Sequence, residues 1–127
     1  MVKRIVIAGS RDYENYEEVK TYIEACIREL QKKNTLIFLS GGCRGVDMLG
    51  ERYAKENGFP IERYPANWKK YGKSAGPKRN LQMVSICDGV ICFWDGKSKG
   101  TASVIRYAKE FGKPLWVKQI FCETTEK

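Results

Sequence analysis

The chain has 127 residues, 43% hydrophobic and 30% charged, the proportions of one folded domain spanning residues 1–127 and not of a disordered segment. It carries a formal net charge of +8 and no histidine, which excludes Ser-His-Asp and Cys-His catalysis and most zinc and iron sites. The residues after Met1 lead directly into a short strand, so neither a signal peptide nor a membrane span is predicted. Five cysteines without a CxxC pair predict a reduced, cytoplasmic protein.

Lys3 to Ala8 predicts the first strand, because Ile5-Val6-Ile7-Ala8 is a continuous apolar run suited to a strand covered on both faces. A helix follows from Tyr16 to Lys33, with Val19, Tyr22, Ile23, Cys26, Ile27 and Leu30 on one stripe and Asn34 at its end. Thr35 to Leu39 predicts the second strand, Asp47 to Asn57 the second helix, and Gly58 its stop. Pro60 to Tyr64 reads as a short edge strand, and Pro65 to Ala75 as a long loop. Pro77 suits the first turn of a helix running to Ile86, which places Arg79 and Asn80 in that first turn. Gly89–Trp94, Thr101–Phe111 and Pro114–Lys118 read as strand, helix and strand, with Gly112 as the helix stop; the tail after Gln119 has no pattern.

This alternation predicts an α/β fold: a three-layer, doubly wound, Rossmann-like sheet of five parallel strands in the order 3-2-1-4-5. Strands one and four then open a crevice at their carboxyl ends, where ligands bind in this architecture. Three polar loops reach it. Gly9-Ser10-Arg11-Asp12 follows strand one, where glycine permits close approach and arginine pairs with anions. Ser40-Gly41-Gly42-Cys43-Arg44-Gly45-Val46-Asp47 follows strand two; its glycines fit neither GxGxxG nor a Walker loop but suit a backbone anion cradle. Cys43 within it reads as a small filler. Asp95-Gly96-Lys97-Ser98-Lys99-Gly100-Thr101 closes the set at a helix N-terminus.

The ligand predicted on these grounds is a nucleotide-like small molecule, with no metal and no cofactor. Arg11, Arg44 and the backbone of Gly41, Gly42 and Gly45 are expected to hold phosphates. Ser10, Asn80 and Thr101 are expected to donate hydrogen bonds, and Asp12 or Asp47 to accept a ribose hydroxyl. Gly9, Arg79, Asp95 and Gly100 complete the predicted lining. The alternatives are an N-glycosidic hydrolase, with Asp12, Asp47, Glu51 and Asp95 as its carboxylate candidates, and a nucleic-acid footprint. The last rests on Arg63, Lys69, Lys70, Lys73, Lys78 and Arg79, which stand without an acidic residue between them and interleave with Trp68 and Tyr71.

GSRDY after strand one, SGGCRGVD after strand two, the AGPKRN helix start and the FWDGKSKGT segment occur in that order between Lys3 and Val117. Together they resemble the small stand-alone SLOG proteins, the YspA-like branch. The resemblance implies a modified Rossmann domain from a bacterium or phage that binds or senses a nucleotide or ADP-ribose-like ligand. It further implies kinship with the LOG phosphoribohydrolases and the single-stranded DNA-binding DprA proteins, and homo-oligomers in some members. The LOG motif PGGxGTxxE corresponds here to Lys97–Val104. Gly100 and Thr101 match, but Val104 stands at the catalytic glutamate, which weighs against the LOG reaction.

Overall fold

The structure, a computed structural model, describes residues 1–122. Strands β1 (Val2–Gly9), β2 (Thr35–Ser40), β3 (Ile61–Arg63), β4 (Gly89–Trp94) and β5 (Leu115–Gln119) form one parallel sheet in the order β3-β2-β1-β4-β5. The helices are α1 (Tyr16–Ile27), α2 (Leu30–Lys33), α3 (Val46–Glu56), α4 (Trp68–Tyr71), α5 (Ala75–Ile86) and α6 (Lys99–Glu110). Among the described residues, no helix is long and apolar enough to cross a membrane.

The two-residue period of a strand sorts its side chains onto two faces, and both faces are covered. Ile5 and Ile7 join Leu36, Phe38, Ile91 and Phe93 on one face, packed under Val19, Ile23 and Ile27 of α1 and Tyr53 and Ala54 of α3. Val6 and Ala8 join Leu39, Val90 and Cys92 on the other, under Met83 and Val84 of α5 and Val104, Ile105 and Ala108 of α6. The uninterrupted apolar run of β1 is therefore two half-cores read alternately. Each fully buried side chain of this size stabilises the fold by ~1.5–3 kcal/mol.

Three predicted elements differ in detail. The helix expected over Tyr16–Lys33 is two helices, because its buried anchors end at Ile27 while Leu30 is only half-buried. Arg28 and Glu29 keep right-handed helical dihedrals, and Asn34 Nδ2 caps the second segment by donating to the Leu30 carbonyl at 2.9 Å. The loop expected over Pro65–Ala75 contains α4 and a 3-10 turn at Gly72–Ser74, started by Asn67, whose side chain accepts from the Lys70 amide. Helix α5 begins at Ala75, which moves Arg79 and Asn80 from the first turn into the second. The patternless tail carries no helix or strand from 120 to 122, and residues 123–127 lie outside the described residues.

Candidate functional site

The winding reverses between β1 and β4, and a cleft of about 230 Å³ opens where their carboxyl ends part. Ala8 and Gly9 of β1 contribute to its lining, with Arg11, Cys43 and Asp47 from the loops after β1 and β2. Arg79, Asn80 and Met83 of α5 complete it together with Ser98, Gly100, Thr101 and Val104 at the start of α6. Of the predicted site residues, the fold thus brings together Gly9, Arg11, Asp47, Arg79, Asn80, Gly100 and Thr101.

Positive charge dominates this cleft. Arg79 is only 8% exposed, yet it forms no ion pair among the described residues. Its guanidinium donates instead to neutral acceptors: Asn80 Oδ1 and the Gly41 carbonyl, each at 2.8 Å, and the Tyr64 carbonyl at 3.4 Å. A buried cation whose direct partners are neutral is offset only at longer range, here by the Asp47 carboxyl of the same cleft, and an anion in the cleft would neutralise it further. The N-terminus of α6 adds the positive end of a twelve-residue helix dipole. It is capped by Ser98, whose Oγ accepts from the Thr101 amide at 3.3 Å.

Asp47 is the one carboxylate lining the cleft, at 7% exposure. Burial pushes its carboxyl up to about 6, against the pull of the Cys43 amide bond and of Arg79 and Arg11, while Glu51 pushes further upward. The Cys43 N–H donates to its Oδ2 at 3.2 Å.

The other predicted residues have different work. Ser10 is buried outside the cleft lining, and its Oγ accepts from the Asp12 amide at 3.2 Å, which shapes the turn after β1. Asp12 and Arg44 pair with each other at 3.2 Å on the surface, both side chains about 70% exposed, and neither lines the cleft. Of the amides expected to cradle phosphate, that of Gly42 donates to Ser40 Oγ; in the same loop the Cys43 amide donates to Asp47 and the Val46 amide to the Ser10 carbonyl. Gly41 and Gly45 instead permit close packing within the protein. A Cβ at Gly41 would lie 2.5 Å from Arg79 Nη1, and one at Gly45 2.3 Å from the Ser10 carbonyl oxygen.

Asn80 lines the cleft, but its amide braces α5 to α6 by donating to Ser103 Oγ at 3.0 Å and the Gly100 carbonyl at 3.3 Å. Asp95 shapes the loop before α6, accepting from the Lys97 and Ser98 amides at 2.9 Å each, outside the cleft lining. Glu51 is a structural anion. Ser40 Oγ donates to it at 2.6 Å and Arg63 clamps it with two donors; these bonds outweigh burial and hold its carboxyl below the usual range. Of four carboxylate candidates for catalysis, Asp47 alone faces the cleft.

Five lining residues stand outside the predicted set: Ala8, Cys43, Met83, Ser98 and Val104. Met83 lies one helical turn after Arg79, so the helix period was a usable signal; Ser98 sat inside a singled-out segment but was not selected. Cys43 is not a core filler: half-buried, it lines the cleft with its Sγ 3.9 Å from Arg79 Nη2. Val104 also lines the cleft, so the position of the absent glutamate presents an apolar wall. A wider hollow of about 490 Å³ lies elsewhere, lined by Asp12, Glu14 and Glu18 among others. Three acidic residues make it a poor anion site.

The model of the YspA, cpYpsA-related SLOG family (YAcAr) matches residues 3–71, which hold β1 and both glycine-rich loops. The chain belongs to that family. Gene 61 protein of Mycobacterium phage D29 is 33% identical over 121 residues, covering 90% of this chain and 94% of its own length. This SLOG chain also resembles DNA processing protein A (DprA) from Streptococcus pneumoniae, with a TM-score of 0.70 and 19% identity over 91% of the chain. It spans about half of that protein's length, 50%. DprA from Helicobacter pylori, solved for its single-stranded DNA binding mode, matches at a TM-score of 0.64 and 25% identity, covering 91% of this chain and 64% of its own. TM1055 matches at a TM-score of 0.64 and 21% identity, covering 89% of this chain and 72% of its own.

Proposed function

We propose that this SLOG domain binds a nucleotide or nucleotide-derived, ADP-ribose-like ligand, its phosphates held in the cleft by Arg11, Arg79 and the first turn of α6. The observation that carries the reading is Arg79, a buried guanidinium that forms no ion pair among the described residues and lines the cleft with a helix N-terminus. Arg11 stands exposed at the same cleft with no ion pair among the described residues. One cleft carboxylate and an apolar Val104 favour holding a ligand over cleaving one.

Thermal unfolding against ADP-ribose, AMP and ADP tests this. A ligand at a hundredfold excess over its Kd stabilises the native state by ~2.7 kcal/mol. Arg11→Ala removes one charge-assisted bond and is expected to weaken binding ~10–100-fold without moving the unliganded Tm. No stabilisation by any of the three, or an undiminished one in Arg11→Ala, refutes the reading.

A second reading, single-stranded nucleic acid binding, is supported by the α4 surface and by the DNA bound by the H. pylori relative. Trp68 is 52% exposed and Tyr71 40%, with Lys70 and Lys78 Nζ 5.2 and 5.0 Å from the Tyr71 ring. Base stacking on such a platform contributes ~1–3 kcal/mol per base, and the lysines make affinity fall steeply with salt. Of the six basic residues, Arg63 is clamped to Glu51 and Arg79 is buried at the cleft, leaving four exposed lysines as the footprint. Fluorescence anisotropy with oligo-dT, wild type against Trp68→Ala, decides it; equal affinities refute it.

A further inference from the structure

Asp47 sets a problem for any anion in this cleft. Asp47 shares the lining of one small cleft with Arg79 and the first residues of α6, so a phosphate that reaches Arg79 and the α6 N-terminus comes near the Asp47 carboxyl. Ionised, that carboxylate repels the phosphate in a place with little water to screen it. Neutral, it becomes a donor. We propose that ligand binding is coupled to uptake of one proton from solvent by Asp47, which enters the complex as a carboxylic acid and donates its O–H to a phosphate oxygen. The inference rests on the nucleotide-binding reading above and names how that site handles charge.

The surroundings favour this division of labour. Asp47 Oδ2 is fixed by the Cys43 N–H, leaving Oδ1 to carry the proton. The charged and titratable groups around it are Arg11 from the loop after β1, Arg79 from α5, Glu51 one turn on in α3, and the buried Cys92 thiol of β4. From α6 the cleft is lined by Ser98, Gly100, Thr101 and Val104, which carry no charge. Arg11, exposed and without an ion pair among the described residues, would turn toward an incoming phosphate, withdrawing part of the attraction that favours the ionised form. Glu51, locked to Arg63, stays negative and continues to oppose it. Burial already holds the carboxyl at about 6 in the free protein, so little more is needed to keep the proton at neutral pH.

Isothermal titration calorimetry of the full chain with ADP-ribose, in buffers of different ionisation enthalpy, counts the protons directly. The diphosphate bridge of ADP-ribose has no group titrating near neutrality, so a proton taken up belongs to the protein. The expected result is close to one proton per ligand at about pH 7, falling toward zero near pH 5, with affinity dropping up to ~10-fold per pH unit above about 6. Asp47→Asn is expected to bind at least as tightly at pH 7, without proton uptake. Binding without uptake in the wild type means an ionised Asp47, as for a carboxylate accepting a ribose hydroxyl, and overturns the proposal while leaving the binding reading intact. Equal uptake in wild type and Asp47→Asn also overturns it. Absence of ADP-ribose binding overturns the proton-uptake proposal, and the binding reading falls with it only if AMP and ADP fail to bind as well.

Discussion

Gly45→Ala tests the packing that closes the loops after β1 and β2 onto each other. Gly45 has φ +81° and ψ −132°, a region essentially reserved to glycine, and an alanine there costs ~1–3 kcal/mol in backbone strain alone. The added Cβ would lie 2.3 Å from the Ser10 carbonyl oxygen and 2.6 Å from the Arg11 backbone. Backbone atoms have no alternative rotamer, so the loops must separate, and the 3.0 Å bond from the Val46 amide to the Ser10 carbonyl weakens with them. That bond contributes ~0.5–1.5 kcal/mol, which brings the expected cost to ~2–4 kcal/mol. Gly58→Ala is the control: φ is +75°, but nothing lies within 4 Å of the added Cβ, so only ~1–2 kcal/mol of conformational strain remains. In urea unfolding at an m-value of ~1–3 kcal/mol/M, Gly45→Ala should lower the midpoint by about 1 M or more, and Gly58→Ala by clearly less. Equal midpoints for the two variants would refute the reasoning. Arg11 lies at the same junction, so Gly45→Ala should also weaken ligand binding.

Two further outcomes follow from the buried carboxylates. Folded Asp47 keeps its proton to about pH 6, whereas the unfolded chain releases it near 3.8, so the native state binds more protons between these values. The contribution of Asp47 to wild-type stability therefore falls as pH rises through that window. Asp47→Asn, which still accepts from the Cys43 amide, should match wild type near pH 4 and exceed it at pH 7 by at most ~3 kcal/mol, twice the ~1.4 kcal/mol of one pH unit. A stability difference that does not change with pH in chemical denaturation would contradict this. Glu51→Ala should cost ~1–3 kcal/mol, because it strands the buried Ser40 hydroxyl that orders the Gly42 amide; calorimetry of the variant with unchanged Tm would contradict that role.

Local chemistry wrote most of the fold into the sequence. The run Ile5–Ala8, the stripe Val19-Ile23-Ile27 and the regular alternation of strand and helix need only near neighbours to be read, and they suffice to order the strands. They also fixed the rim on which a ligand would sit, since the reversal between β1 and β4 follows from that order. What each loop residue does at the rim was decided by partners far away in the chain. Arg79 reaches the Gly41 carbonyl 38 residues back, Arg63 clamps Glu51, and Arg44 turns out to Asp12 instead of into the cleft. Burial accumulates along a local period, so a sequence displays it. A polar group's role depends on which acceptor the folded chain brings within about 3 Å of it, and only the tertiary structure separated Asp47, in the cleft, from Asp12, outside it.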